Sequence, residues 1–198
     1  MKNVILVTGY KQSGKDSFAD ITGYKKLGFA DKLKEQAEQV IEILFPDIAG
    51  YIKYDWEDDE FKKAEIPSKF NKINKRTGKR STFRDFLEDY GTGLVRDNIN
   101  DEYYAQITVD RIRRSKEKNF VIKDTRFLSE YEIFYTKPLE FNLILVYIDR
   151  GYQCENPLTE GEVEKLRDLA SYDIDSTGDL AGYQERCKFV FNEIKRGL

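Results

Sequence analysis

The chain has 198 residues, is 40% hydrophobic and 35% charged, and carries a formal net charge of -3. That is the profile of a soluble globular protein with room for one α/β domain and a good core. The absence of histidine excludes a histidine base, metal ligand or pH switch; the mild acidity argues against nucleic acid as the main partner; and Cys154 and Cys187 form no Cys-x-x-Cys pair that would suggest structural zinc or a disulfide framework.

In chain order, Asn3–Thr8 contains the apolar run Val4-Ile5-Leu6-Val7 and reads as a strand buried on both faces, as in a parallel sheet. Nothing there resembles a secretory leader or a membrane span, so the cytoplasm of a cell, or of an infected host, is the expected location. A glycine-rich turn follows, and a helix is expected from about Gly14 to Thr22. Lys26–Ala30 reads as a short second strand, with Asp31 placed to cap the next helix. Leu33, Ala37, Val40, Ile41 and Leu44 recur at helical spacing until Pro46 limits it. Residues 47–82 are the least regular. Their 53–60 stretch is acidic on balance, and 62–80 holds eight Lys/Arg against one acid, Glu65. Such a basic run reads first as solvated surface, with a cover over an anionic substrate as the other reading and nucleic-acid contact as a lesser one.

Helical periodicity resumes at Phe83, Phe86, Leu87 and Tyr90, and Gly91-Thr92-Gly93 predicts a turn or break. Tyr104, Ile107, Thr108 and Ile112 mark another helix. Phe120–Lys123 is a short strand, followed by Asp124-Thr125-Arg126, and Phe127 to Tyr135 reads as a helix. Leu143–Ile148 is a strand ending at Asp149-Arg150. Glu160–Ala170 is expected as one helix, Tyr172–Ile174 as the last strand, and Leu180–Ile194 as the closing helix. Strands alternating with helices predict an α/β fold with an open, mainly parallel sheet. We expect a single domain over 1–198, with 47–82 as an irregular basic insertion and 150–170 as a lid-like segment.

The turn reads Gly9-Tyr10-Lys11-Gln12-Ser13-Gly14-Lys15-Asp16-Ser17 and matches most of the P-loop pattern, with Asp16 where Ser or Thr is usual. Backbone N–H groups of such a loop, with the helix N-terminus behind it, direct positive dipoles at phosphate. Gly9, Lys11, Ser13, Gly14, Lys15, Asp16 and Ser17 are therefore the candidate ATP-phosphate cradle, and a three-layer P-loop kinase-like fold is expected. Lys15 is placed to neutralise charge on a moving phosphoryl group. Candidate magnesium ligands are Ser17, favoured over Asp16, and Asp124, which acts through water or instead caps the next helix. Arg126 is a candidate fork on an acceptor phosphate, with Glu130 one helical turn on to orient it. Arg84 and Arg96, flanking the glycine break, are further candidate phosphate anchors; a salt bridge is the plain alternative for each arginine. Glycines and a proline after Arg150 suggest a mobile segment closing over ATP, with Arg150 favoured over Arg167 as its acting arginine.

These motifs resemble the phage deoxynucleoside monophosphate kinase family, related in fold to the wider nucleoside monophosphate kinases. The resemblance lies in G-Y-K-Q-S-G-K-D-S at 9–17, G-F-A-D-K-L-K at 28–34, R-D-F-L-E-D-Y-G-T-G-L-V-R at 84–96 and D-T-R-F-L-S-E at 124–130. It implies transfer of the γ-phosphoryl of ATP, with Mg2+, to a deoxynucleoside 5′-monophosphate, and makes a homodimer plausible. It further implies that Asp31, Lys34, Arg84, Arg96 and Arg126 line the acceptor side, that Asp124 supports magnesium, and that Arg150 starts the lid. No strong base is needed, because the attacking phosphate oxygen is already anionic. The base pocket is expected between the 31–45 helix and residues 83–104, where Tyr90, Tyr103, Tyr104 and Trp56 are either stacking partners or core. Two other readings stand beside this one: a kinase of another small phosphorylated acceptor, of dephospho-coenzyme A or phosphomevalonate type, and a non-catalytic nucleotide-binding P-loop protein.

Overall fold

The run Val4–Val7 lies in the middle strand of a five-stranded parallel sheet. The computed structural model describes residues 1–198. Its elements begin with β1 (Lys2–Thr8), α1 (Lys15–Thr22), β2 (Lys25–Leu27), α2 (Ala30–Leu44), α3 (Asp59–Lys63) and α4 (Phe83–Glu88). A π-helix (Asp89–Arg96) continues α4, followed by α5 (Tyr103–Arg114), β3 (Asn119–Thr125), α6 (Leu128–Tyr135) and β4 (Phe141–Asp149). The chain closes with α7 (Pro157–Glu160), α8 (Val163–Asp168), β5 (Tyr172–Asp175) and α9 (Leu180–Gly197). It divides into two units, Met1–Phe29 with Glu102–Leu198, and Ala30–Asp101.

The first unit holds the whole sheet, in the order β2-β3-β1-β4-β5. Alternate residues of β1 point to opposite faces, and both faces are covered. Val4 and Leu6 join Phe120, Ile122 and Leu145 under Val109, Ile112, Phe134 and Leu166 from α5, α6 and α8. Ile5 and Val7 join Val121, Val146 and Ile148 under Phe18, Cys187 and Phe191 from α1 and α9. This is the expected three-layer α/β fold with an open parallel sheet. Because β1 lies between β3 and β4, its carboxyl end opens at the point where the strand order reverses, where open α/β sheets bind ligands.

The second unit packs Ala37 and Ile41 of α2 against Ile48, Trp56, Ile66 and Phe83. Trp56 belongs to this core: it is 7% exposed, stacks on Tyr54 and donates its indole N–H to Glu38 at 2.8 Å. Residues 71–81 form a tied loop, with Ile73 bridging Arg80 and the Arg76 guanidinium paired with Asp85, Glu88 and Asp89.

Three expectations need correcting. Gly91-Thr92-Gly93 does not break the helix; the chain passes through in π-helical turns, a wide geometry that two glycines crowd little. The span 160–170 is not one helix, because α7 ends at Glu160 and α8 starts at Val163. Asp31 lies inside the first turn of α2, not at its cap.

Candidate active site at the β1–α1 loop

The loop leaves β1 through Gly9 at φ +139° and enters α1 through Gly14 at φ +103°, with Gln12 also at positive φ. At Gly9 a Cβ would stand 2.5 Å from the Ile148 carbonyl oxygen, and at Gly14 one would meet the Tyr183 ring at 2.9 Å. The loop is thus wedged between backbone and ring, and glycine is the residue that fits. Tyr183 secures the second position by donating its hydroxyl to the Gly14 carbonyl at 2.8 Å. Ser13 N–H closes the turn onto the Tyr10 carbonyl at 3.2 Å.

No side chain caps α1. Its first-turn N–H groups have no helical acceptor, so the positive end of the helix dipole faces the loop's concavity. Lys15 folds back over that concavity. Its ammonium donates to the Gly9 carbonyl at 2.7 Å, to the Tyr10 carbonyl and towards Ser13 Oγ at 3.4 Å. Burial, then the nearby Arg126 guanidinium, lowers the Lys15 pKa from 10.5 to about 8, while Glu160, Asp16 and Asp124 pull it back up. The Arg126 guanidinium itself makes no ion pair or hydrogen bond within the chain. Two cations placed together, one of them unpartnered, beside an uncapped helix N-terminus create a local positive potential.

The other first-unit candidates surround it. Asp124 lies within β3, not after it, and its Oδ1 accepts the Phe29 N–H at 2.8 Å. It does not cap α6; Phe127 holds that position. Glu130 accepts the N–H groups of Arg126 at 2.7 Å and Phe127 at 3.1 Å, so it sets the main chain that carries Arg126. The Asp16 carboxylate pairs with Lys123 at 2.7 Å, while Ser17 Oγ has no partner in the chain. Arg150 reaches the Gln12 carbonyl at 3.4 Å and lies over Tyr152. Arg167 is instead held by Asp149 at 2.9 Å and Asp173 at 3.0 Å. The fully buried hydroxyls of Thr8 and Thr125, paired in register where β1 meets the loop, have no hydrogen-bond partner.

The remaining candidates lie in the second unit. Lys34 pairs with Glu57 at 2.6 Å and Arg84 with Asp59 at 2.8 Å. Arg96 donates to the Asp101 carbonyl at 3.1 Å, and Asp31 sits in the first turn of α2. Tyr90 stacks on Phe86 there; Tyr103 and Tyr104 form an edge-on pair in the first unit.

Sequence reasoning missed several residues at the loop. Glu160 accepts the Lys11 N–H at 2.9 Å, and Glu164 accepts the Tyr10 hydroxyl at 2.7 Å. These contacts span about 150 residues and leave no local periodic signal; the alternating Glu160-Glu162-Glu164 was their only trace.

The loop fits a polyphosphate by its wedged glycines, uncapped helix end and paired cations. For magnesium, Ser17 Oγ and Asp124 offer hard oxygen donors. No cluster of three acidic, cysteine or histidine ligands exists.

No family model and no curated protein matches the chain. Among solved structures it is similar to a dephospho-CoA kinase from Campylobacter jejuni, at 18% identity and a TM-score of 0.51, covering 100% of this chain and 99% of that one. A gluconokinase from Sinorhizobium meliloti 1021 follows at 12% identity and a TM-score of 0.45, covering 99% and 95%. A shikimate kinase from Acinetobacter baumannii, in complex with shikimate, follows at 12% and 0.41, covering 99% and 92%. The likeness to the first of these extends over the whole chain and is one of fold: a three-layer α/β arrangement with an open parallel sheet. No helix is long and apolar enough to cross a membrane.

Proposed function

We propose that this chain is a phosphotransferase that moves the γ-phosphoryl group of ATP to a small phosphorylated acceptor. The observation that carries this reading is the Lys15–Arg126 pair of cations at an uncapped helix end behind a glycine-wedged loop. Gly9 to Ser17 would hold the donor phosphates through main-chain N–H groups. Lys15 would exchange its loop carbonyls for a phosphate oxygen and follow the charge as it moves. Ser17 and Asp124 would hold magnesium, which supplies charge neutralisation on the phosphate oxygens. Arg126, with no internal partner, would grip the acceptor phosphate by a charge-assisted fork. The 150–170 segment is the proposed lid, with Arg150 beside the loop as its reaching cation.

Two acceptor classes have separate support. The fold similarity to a dephospho-CoA kinase favours a phosphorylated coenzyme precursor. The motifs at 84–96 and 124–130 favour a deoxynucleoside monophosphate. They differ chemically: a monophosphate attacks through an oxygen that is already anionic, whereas a sugar hydroxyl needs a carboxylate base within reach. In the second case Asp124 or Asp31 would take that role.

The test is ADP release with ATP and magnesium across the four dNMPs, the matching NMPs, dephospho-coenzyme A and phosphomevalonate. Turnover with one class names the acceptor. Retained ATP binding without turnover on any of them sinks the kinase reading in favour of a nucleotide-binding protein.

A further inference from the structure

The segment after Arg150 is bound to the phosphate loop through carboxylates. Asn156 caps α7 by accepting the Leu158 N–H at 3.1 Å, Pro157 starts the helix, and Glu160 ends it. Glu160 is 4% exposed. Its Oε1 accepts the Lys11 N–H at 2.9 Å and its Oε2 accepts the Glu155 N–H at 3.3 Å. Two residues on, Glu162 accepts the Leu128 N–H at 2.8 Å, just past Asp124-Thr125-Arg126. Glu164 then accepts the Tyr10 hydroxyl at 2.7 Å.

Glu160 is the unusual member. A buried carboxylate carries a large desolvation cost unless donors and cations surround it. Here its donors are main-chain N–H groups, one of them from the phosphate loop, and Lys15 lies within electrostatic reach. An anionic oxygen accepting a loop N–H near the loop lysine does what a phosphate oxygen does in such a loop.

We propose that Glu160 is an internal stand-in for a phosphate oxygen: its carboxylate holds the Lys11 N–H in the nucleotide-free protein and is exchanged for the donor polyphosphate on binding. The proposal rests on reading Gly9–Ser17 as a phosphate site. Glu160 is a positioning residue. It keeps the loop's main chain set while no ligand is bound, and its displacement releases α7 and α8 so that the segment carrying Arg150 can rearrange. Two anions competing for one N–H cannot both stay, so Glu160 also lowers affinity for polyphosphate.

The test is calorimetric titration of the full chain and of Glu160→Gln with sodium tripolyphosphate, with hydrogen exchange followed over 150–170. Glutamine can still accept the Lys11 N–H but carries no charge. The proposal expects Glu160→Gln to bind tripolyphosphate about tenfold tighter, the scale of one charge-assisted hydrogen bond. Glu193→Gln, whose carboxylate pairs with Arg196 at the end of α9, should stay within about twofold of the parent. In the parent, binding should speed exchange across 157–168, the reverse of what a ligand does to a segment it merely covers. Binding by the parent with equal or weaker affinity in Glu160→Gln overturns the proposal and leaves the phosphate site intact. No binding by either protein overturns both. Should Glu160→Gln fail to fold, the parent's exchange decides, and protection or no change over 157–168 refutes the displacement.

Discussion

Lys15 offers the sharpest test of the proposed anion site. Its ammonium is held out of water beside an unpartnered guanidinium, and its pKa falls from 10.5 to about 8. At roughly 1.4 kcal/mol per pH unit, that drop amounts to about 3 kcal/mol. The folded pKa lies below the unfolded one, so the sign is fixed. Below pH 8 the lysine is charged in both states, and the folded protein bears the full cost. Between about 8 and 10.5 the folded state releases its proton first, the unfolded chain binds more protons, and stability rises with pH. Above that window the cost is gone. Lys15→Met removes this contribution but also removes the hydrogen bonds to the Gly9 and Tyr10 carbonyls, a loss that does not change with pH. Urea denaturation of both proteins from pH 7 to 10.5 isolates the electrostatic part, because every other titrating group cancels in the difference. Parent stability should gain about 3 kcal/mol on the variant across the window. A difference that stays flat with pH would mean Lys15 is not held as a desolvated cation, and the anion-site argument would lose its main support.

Four further outcomes follow from the same geometry. A bound polyphosphate should raise the Lys15 pKa, so titration at pH 8 should take up about half a proton and at pH 6 almost none, read from calorimetry in buffers of different ionisation enthalpy. Arg126→Ala should not lower the melting temperature, since its guanidinium holds nothing inside the chain and its removal relieves an unpaired cation, yet it should cut kcat/KM for the acceptor by about a hundredfold; unchanged acceptor kinetics remove it from the site. Gly9→Ala should destabilise by about 2–4 kcal/mol, because its Cβ would meet the Ile148 carbonyl oxygen at 2.5 Å and that backbone cannot yield; a variant as stable as the parent refutes the wedge. Trp56→Phe, which strands the Glu38 carboxylate, should cost about 1–3 kcal/mol without altering preference among acceptors, and a shifted preference would return Trp56 to the base pocket.

What the sequence made legible is what local forces determine. An apolar run with no alternation, Val4–Val7, is solved only by a strand covered on both sides, and β1 is that strand. Short apolar runs placed every strand within a few residues, and a spacing of three to four placed most helices. The failures have equally local causes. Gly91 and Gly93 read as breakers because isolated glycines weaken an ordinary helix, whereas the chain continues across them as a π-helix with Gly91 against Leu33, where a Cβ would stand 2.5 Å from that side chain. Charge and apolar spacing read 160–170 as one helix, yet α7 ends at Glu160 and α8 starts at Val163, with Gly161 and Glu162 between them.

Charge was the hardest property to read, since a sequence displays charges but not their partners. Of the cations in the basic 62–80 run, Arg76 and Arg80 are engaged in holding the loop together: Arg76 pairs with three carboxylates, and Arg80 donates to the Ser68 and Asn71 carbonyls. Lys69, Lys72, Lys75 and Lys79 are exposed and make no ion pair. Arg84 reads as a phosphate anchor in sequence and Lys34, by the family resemblance, as lining the acceptor side, yet each holds a carboxylate of 57–59. An acceptor phosphate would have to replace that carboxylate, as a donor phosphate would have to replace Glu160 at Lys11. Arg126 is different, a half-buried guanidinium with no partner next to a second cation. Desolvating a cation without pairing it costs free energy that nothing in the first unit's packing recovers. A ligand anion recovers it, which is why the unpaired arginine, and not the density of positive charge, marks where phosphate is to be sought.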